Sequence, residues 1–255
     1  MENKLLNKLI KQVNTCTRCD LHKFCKRRLI GAGNPNARIM FIGEAPGIAE
    51  DNTGIPFAGS SEVLHSECIT CKFFPECFNN FINKSSIKMD CTYKEANLEE
   101  IEYNKLSANN IRNAGTIFNI MLEKAKLNRD MVYITNIVAC RPIKDGYKNG
   151  KPTAEQINCC IGRVKMLLKA IQPHAVIFVG SLAARNMTDT SESMYKIVGT
   201  MLDFNVDNAN YISTFMYHPA SLLYSEKNYD IYMSRNVEAI KNVMKEIDNL
   251  SIWKK

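Results

Sequence analysis

Three groups of residues in this sequence have types and spacings that could do chemistry. The first is a glycine-rich stretch, Gly43-Glu44-Ala45-Pro46-Gly47, followed by Glu50-Asp51, Gly54 and Pro56-Phe57-Ala58-Gly59. It presents three carboxylates and one aromatic ring on a turn, types used in acid–base work and in stacking. Alone, such a stretch reads as a generic Gly/Pro loop with exposed acids. The second group is cysteine, of which there are ten. Cys16-Thr17-Arg18-Cys19 with Cys25 has the same spacing as Cys68, Cys71 and Cys77, and Cys91, Cys140, Cys159 and Cys160 follow. Two short copies do not make a repeat protein. The third group is polar: Asn136 in Ile134-Thr135-Asn136, before Cys140-Arg141-Pro142, and His218 in Tyr217-His218-Pro219, before Leu222-Leu223. A lone Asn or His-Pro pair usually only shapes a loop.

The elements that must position these residues are legible as apolar runs. Residues 38–42, 132–136, 175–179 and 211–217 read as short buried parallel strands, each ending at or near glycine, asparagine or histidine. Helical patterns occupy 114–127, 153–171, opening on Thr153-Ala154-Glu155-Gln156, and about 230–250. Strands alternating with helices predict an α/β fold, an open four-stranded, mainly parallel sheet in a three-layer arrangement. In such sheets the site lies at the carboxyl ends of the strands. The stretch from 60 to 113 breaks the rhythm. It has no clean strand but carries Cys68, Cys71, Cys77 and Cys91, and reads as a Cys-rich insertion with its own staple.

Composition sets the frame. The chain has 255 residues, 45% hydrophobic and 23% charged, which suits one large domain spanning 1–255 with the insertion inside it. A net charge of +7 is compatible with a polyanionic partner without demanding one. The N-terminus lacks a secretory apolar run, and no stretch has the apolar length of a membrane span. The expectation is a cytoplasmic protein without a membrane partner. Structural disulfides are rare in that compartment, so ten cysteines point first to metal or cluster ligation.

Taken in order, the motifs C-x-x-C, GEAPG-x-x-ED-x-x-G-x-PF-x-G, ITN-x-V-x-CRP, E-x4-C (Glu155 to Cys160) and HP-x-x-LL resemble those of the family 4, iron–sulfur uracil-DNA glycosylases. The resemblance spans nearly the whole chain outside the insertion. It implies a uracil-DNA glycosylase-like fold and a [4Fe-4S] cluster held by Cys16, Cys19, Cys140 and Cys160. Cys160 rather than Cys159 follows from the family's spacing from Glu155. Cys25 and Cys159 are then packing thiols, and His22, His65 and His174 surface or packing residues. The resemblance also implies that Phe57 stacks on a flipped base, Asn136 reads its Watson–Crick edge and His218 sits beside its O2. Glu44 matches the acid that orients or activates water, with Gly43, Ala45 and Gly47 in the base-binding loop. Leu222 and Leu223 match a wedge that enters the minor groove; the family commonly places a basic residue next, where this chain has Tyr224.

The implied partner is DNA, the implied enzyme is a monomer, and the implied reaction is N-glycosidic hydrolysis of an extruded base. Because no lysine sits at a recognisable Schiff-base position, the expected route uses water and leaves an abasic site. Uracil is the first expectation for the base. Gly47 offers no side chain to block a substituent, so a bulky modified pyrimidine, such as glucosylated hydroxymethylcytosine in phage DNA, is an alternative that would imply antiviral defence rather than repair. A non-catalytic cluster-bearing DNA-binding protein is a third reading. The insertion cysteines are candidates for a second iron–sulfur cluster or a structural Zn²⁺. The interleaved Phe73, Phe74, Phe78 and Phe81 with Lys72 and Lys84 read first as the insertion's own core, and otherwise as a stacking surface for nucleic acid.

Overall fold

A computed structural model of the chain describes residues 3–58, 114–146 and 148–253. Gly59, the cysteines Cys68, Cys71, Cys77 and Cys91, and the aromatic and lysine residues expected around them lie outside the described residues, as does His65.

The core is a six-stranded sheet in the order β1-β3-β2-β6-β8-β7, formed by β1 (Ala32–Gly33), β2 (Ile39–Gly43), β3 (Val132–Asn136), β6 (Ala175–Val179), β7 (Met201–Val206) and β8 (Ala209–Met216). The four strands read from the sequence are the parallel centre: β2 pairs with β3 and β6, and β6 with β8. The expectation of four strands is corrected at both edges. Short β1 pairs antiparallel with β3, and β7 pairs antiparallel with β8. Strand β7 joins β8 through a two-residue loop in which Asp207 takes φ +52°. A separate hairpin, β4 (Ile143–Lys144) with β5 (Lys148–Asn149), follows Cys140.

The central strands are fully buried and feed two cores. Along β2 successive side chains point to opposite faces, so Met40 and Ile42 join one core while Ile39 and Phe41 join the other. The first core takes α1 (Lys4–Asn14), α4 (Ala154–Ile171) and α5 (Ser181–Thr188); the second takes α3 (Ala114–Lys124) and α8 (Tyr229–Trp253). These are the three layers. Three shorter helices, α2 (Ile48–Thr53), α6 (Met194–Ile197) and α7 (Pro219–Leu223), sit in the connecting segments.

Local chemistry sets the ends of the helices. Thr153 caps α4 in a reciprocal box with Gln156: the Gln156 amide N donates to Thr153 Oγ1 at 3.3 Å, and Thr153 N donates to Gln156 Oε1 at 2.9 Å. Asn3 caps α1 by accepting from Leu6 N, and its own amide donates to Ala170 O at 2.7 Å, pinning α1 to the end of α4. Strand β2 lies where the chain reverses direction across the sheet, going first to β3 on one side and then to β6 on the other. Crevices at the carboxyl ends of such a switch point are where open α/β sheets bind ligands.

Candidate active site and cysteine cavity

The residues singled out for base binding meet at the carboxyl ends of β2, β3 and β8. Gly43 and Asn136 are register partners at the ends of β2 and β3. The loops beyond them are stitched together, Ile137 N donating to Gly43 O at 2.8 Å and Val138 N to Glu44 O at 3.1 Å. A Cβ on Gly43 would collide with Asn136 Oδ1 and with the edge of the Phe57 ring. The glycine is therefore what lets amide and ring close on the strand end. Asn136 is buried, and its Nδ2 has no hydrogen-bond partner. A buried amide donor left open costs free energy unless something answers it.

Phe57 has φ +53°, a left-handed conformation that an aromatic residue adopts only under constraint. The constraints are visible. Its N–H donates to Glu50 Oε1 at 2.9 Å, while the other Glu50 oxygen accepts from Gly47 N. The buried Arg129 holds the preceding carbonyl, Pro56 O, and donates to Asn119 Oδ1 at 3.1 Å. The Phe57 ring stacks on Phe118 at 4.7 Å between centroids, and His218 lies 5.6 Å from it. Burial pushes the Glu50 carboxyl up, and its backbone hydrogen bonds and the Arg129 cation oppose that shift. Asp51, buried as well, accepts from Lys26 N at 2.9 Å and Arg27 N at 3.0 Å. Glu50 and Asp51 thus hold loops, which leaves Glu44 as the carboxylate of this stretch with no structural hydrogen bond assigned to it. Glu44 is half-buried. Burial raises its pKa, and the Lys151 cation beyond the β4–β5 hairpin pulls the other way.

His218 caps α7 by accepting from Ala220 N at Nδ1, 3.2 Å away. With Nδ1 an acceptor, the proton of the neutral ring sits on Nε2. Burial pulls its pKa down to about 4, so the ring is a neutral donor near pH 7. Gly180 at φ +90° backs it, since a Cβ there would lie 3.1 Å from His218 Cβ. Asn236 of α8, fully buried, accepts from Tyr217 N at 2.8 Å and donates to Tyr217 O at 3.0 Å, fixing the residue before His218.

The two leucines expected to form a wedge lie on α7. Leu222 is 1% exposed and belongs to the same core cluster as Phe57 and Phe118. Leu223 is half-buried against the same core, and Tyr224 at the end of the helix is 88% exposed. Gly47 too has a local explanation. A Cβ there would press on Glu50 Oε2, and the Asn149 amide lies next to it. Ala45 is half-buried against the first core.

A second site lies on the α1–α4 side of the sheet. Cys16, Cys19, Cys140 and Cys160 line one cavity of about 570 Å³, together with Cys159, His22, Arg28 and Arg163. Three stretches of chain supply the thiols: the turn after α1, the loop after β3 and the first half of α4. Arg28 holds the first turn, Nε donating to Cys16 O at 2.9 Å. All six described cysteines are free thiols. The cavity raises the Cys19 pKa by burial and then through the neighbouring Cys160 and Cys159. Cys140 is pushed up by its hydrogen bond with Cys25, then by burial and by the charges of Cys25, Cys160 and Cys19. Of the two thiols expected only to pack, Cys159 lines the cavity with Sγ 3.4 Å from Arg18 O, whereas Cys25 packs against the first core and hydrogen-bonds with Cys140. His22 also lines it, with Nδ1 2.5 Å from Cys19 O, whereas His174 lies at the far end of β6. Among the described residues no group of His, Cys, Asp or Glu converges tightly enough for a single metal ion.

Sequence reasoning missed Arg129, Arg163, Asn236 and Arg28. Only Asn236 left a trace, as a polar residue on a helix face otherwise made by Met233, Val237 and Ile240. Among the described residues no helix is long and apolar enough to cross a membrane.

Comparison with known proteins gives the chain its family. The chain is 26% identical over 233 residues to the type-4 uracil-DNA glycosylase of Archaeoglobus fulgidus, covering 90% of this chain and 88% of that protein. It is 27% identical over 224 residues to the type-4 enzyme of Saccharolobus solfataricus (86% and 78%), and 26% over 226 residues to that of Thermotoga maritima (88% and 86%). Residues 30–245 match the uracil DNA glycosylase superfamily. The chain belongs to that superfamily and is a DNA glycosylase, a hydrolase of N-glycosyl bonds.

Proposed function

We propose that the protein is a monofunctional glycosylase that extrudes a pyrimidine, uracil first, from DNA and hydrolyses its N-glycosidic bond, leaving an abasic site. The observation that carries this reading is the placement of Asn136 and Phe57 against Gly43 with His218 beside the Phe57 ring, an open amide donor on Asn136, and Nδ1 of His218 engaged as an acceptor, which leaves the proton on Nε2. An amide offers one donor and one acceptor, the complement of a uracil O4/N3–H edge. As the bond breaks, negative charge collects on the base and positive charge on the sugar. A neutral imidazole N–H at O2 stabilises the first. The Glu44 carboxylate holds the attacking water and offsets the second. The burial that raises its pKa also brings it nearer the range of a working general base.

The cysteine cavity supports a [4Fe-4S] cluster on Cys16, Cys19, Cys140 and Cys160. The fit rests on the donor set: soft sulfur donors from three chain segments line one cavity, with no disulfide among them. Such a group would supply a structural tie between the N-terminal turn and the loop carrying Asn136. The reading of 1–255 as one domain with an insertion at 60–113 accompanies this proposal, as do the second metal of the insertion and a monomeric state.

The modified-pyrimidine alternative rests on the insertion beside the site, on an Asn136 amide that when rotated can serve a cytosine edge, and on Gly47, for which the hydrogen bond from its N–H to Glu50 Oε2 gives a local reason as well. The test is cleavage of a labelled oligonucleotide holding one uracil, followed by alkali, beside substrates with hypoxanthine, 5-hydroxymethylcytosine and its glucosylated form. Scission at uracil supports the reading. Scission only at a modified cytosine moves the role to phage defence, and no scission on any substrate leaves a DNA-binding protein. Brown, iron-containing protein after anaerobic purification is the expected result for the cluster; colourless, iron-free, active protein rejects it.

A further inference from the structure

Arg163 projects from α4 into the wall between the two sites. It is 3% exposed, and its guanidinium is committed on one side. Nη1 donates to Ile30 O at 3.0 Å and Thr135 Oγ1 at 3.1 Å; Nη2 donates to Ile137 O at 3.0 Å and to Asn136 O. Three consecutive residues at the end of β3, including the one read as the base reader, are therefore held by one side chain. The remaining donor, Nε, is buried and has no hydrogen-bond partner. Arg163 also lines the cysteine cavity, three residues after Cys160 and so on the same helix face. Of the neighbouring titratable groups, Cys160 interacts with it most strongly, ahead of Tyr133 and Cys140. A buried cation with one donor left open beside a group of thiols is costly unless that donor meets an acceptor from the cavity.

We propose that Arg163 is a positioning residue joining the cysteine cavity to the base site: Nε–H donates to the sulfur of the bound cluster or its Cys160 thiolate, while the two Nη groups hold the turn that presents Asn136. The inference rests on the cluster reading above. A hydrogen bond and a positive charge at the sulfurs stabilise the more reduced, more negative cluster. Arg18 and Arg28 line the cavity as well, and Arg28 has its Nε and Nη1 engaged by Cys16 O and Asn14 O. That difference makes Arg28 the internal control, since both residues bring charge but Arg163 brings a buried donor left open.

The test uses anaerobically purified holoprotein. Redox titration followed by electron paramagnetic resonance would compare wild type with Arg163→Gln, Arg163→Lys and Arg28→Gln. The expected result is a negative shift of the cluster's midpoint potential in Arg163→Gln that exceeds the shift in Arg28→Gln, with Arg163→Lys between Arg163→Gln and wild type. Where Arg163→Gln does not load, hydrogen exchange on wild type before and after chelation of the cluster replaces it. Protection of the Ile137 and Val138 amides should fall on cluster removal, while that of β6 stays. A loaded Arg163→Gln with the wild-type potential, shifts equal to those of Arg28→Gln, or unchanged exchange at 137–138 overturns the proposal. Iron-free wild-type protein overturns the cluster reading and this inference with it; a loaded wild type insensitive to Arg163 overturns this inference alone.

Discussion

The base site and the cysteine cavity share the chain between β3 and α4, yet they are held in different ways. At the base site protein groups do the holding: Glu50 and Arg129 fix Phe57, Asn236 fixes Tyr217, and Gly180 makes room for His218. What stays open there is Asn136 Nδ2, a group that a substrate can answer. In the cavity the side chains oppose one another. Burial and neighbouring thiols raise the pKa of Cys19 and Cys140, and Arg163 Nε is buried without a hydrogen-bond partner. On the proposed reading, the difference separates preorganisation for a transient ligand, where the scaffold bears the strain, from a site whose own groups conflict until a resident group is bound.

The sharpest way to break the comparison is to remove the donor that the base site offers to the departing base. His218→Ala should lower single-turnover excision on the order of a hundredfold through loss of the donor at the departing base. DNA affinity should change little, because phosphate contacts supply most of it. A matching loss of affinity, measured at one salt concentration, would show that His218 shapes the loop rather than serving the reaction.

Arg129→Met attacks the scaffold instead. Removing the guanidinium leaves the Pro56 carbonyl and the Asn119 amide oxygen without their donor, at about 1–3 kcal/mol for each buried group left unsatisfied. Chemical denaturation should show the loss of stability, and excision should fall with it as Phe57 leaves its left-handed conformation. A variant as stable as wild type would mean that Phe57 is held by stacking on Phe118 alone.

These two predictions rest on residues of unequal legibility. Phe57, Asn136 and His218 could be read because each closes a local motif at the end of an apolar run. Arg129 and Arg163 could not, because their task is to reach backbone carbonyls distant in sequence, which leaves no pattern nearby, and Asn236 left only a polar break in an apolar helix face. The same holds for the strands. β2, β3 and β6 are buried throughout and read as short, mostly apolar runs, whereas β1 has two residues and β7 alternates buried with exposed. The motif that pointed to Leu222 carried no information on which face of α7 it occupies. Packing against Phe118 decided that.

Acid should reveal the buried histidine. His218 titrates near 6.5 when unfolded and at about 4 in the fold, so between these values the unfolded chain binds more protons. This contribution to stability is present above about pH 6.5 and is lost as pH falls towards about 4. Denaturation midpoints across that range should slope accordingly, and the slope should shrink in a His218→Gln variant. A slope unchanged by the substitution would place its origin elsewhere.

The smallest effect is expected at the rim. Tyr224→Ala removes an exposed ring at the end of α7, and stacking on a base is worth about 1–3 kcal/mol, or roughly tenfold in rate on duplex DNA. Single-stranded substrate should be nearly unaffected, because no partner strand has to be disrupted. Equal losses on both substrates would assign Tyr224 to general binding.

The central claim is that the strand-end cluster performs the chemistry through Glu44. It is tested most directly by single-turnover excision of uracil from one defined oligonucleotide by wild type and Glu44→Gln, with dissociation constants measured in parallel. The account expects a fall of about a hundredfold or more in Glu44→Gln, with binding nearly unchanged. Cleavage by Glu44→Gln at the wild-type rate would contradict it.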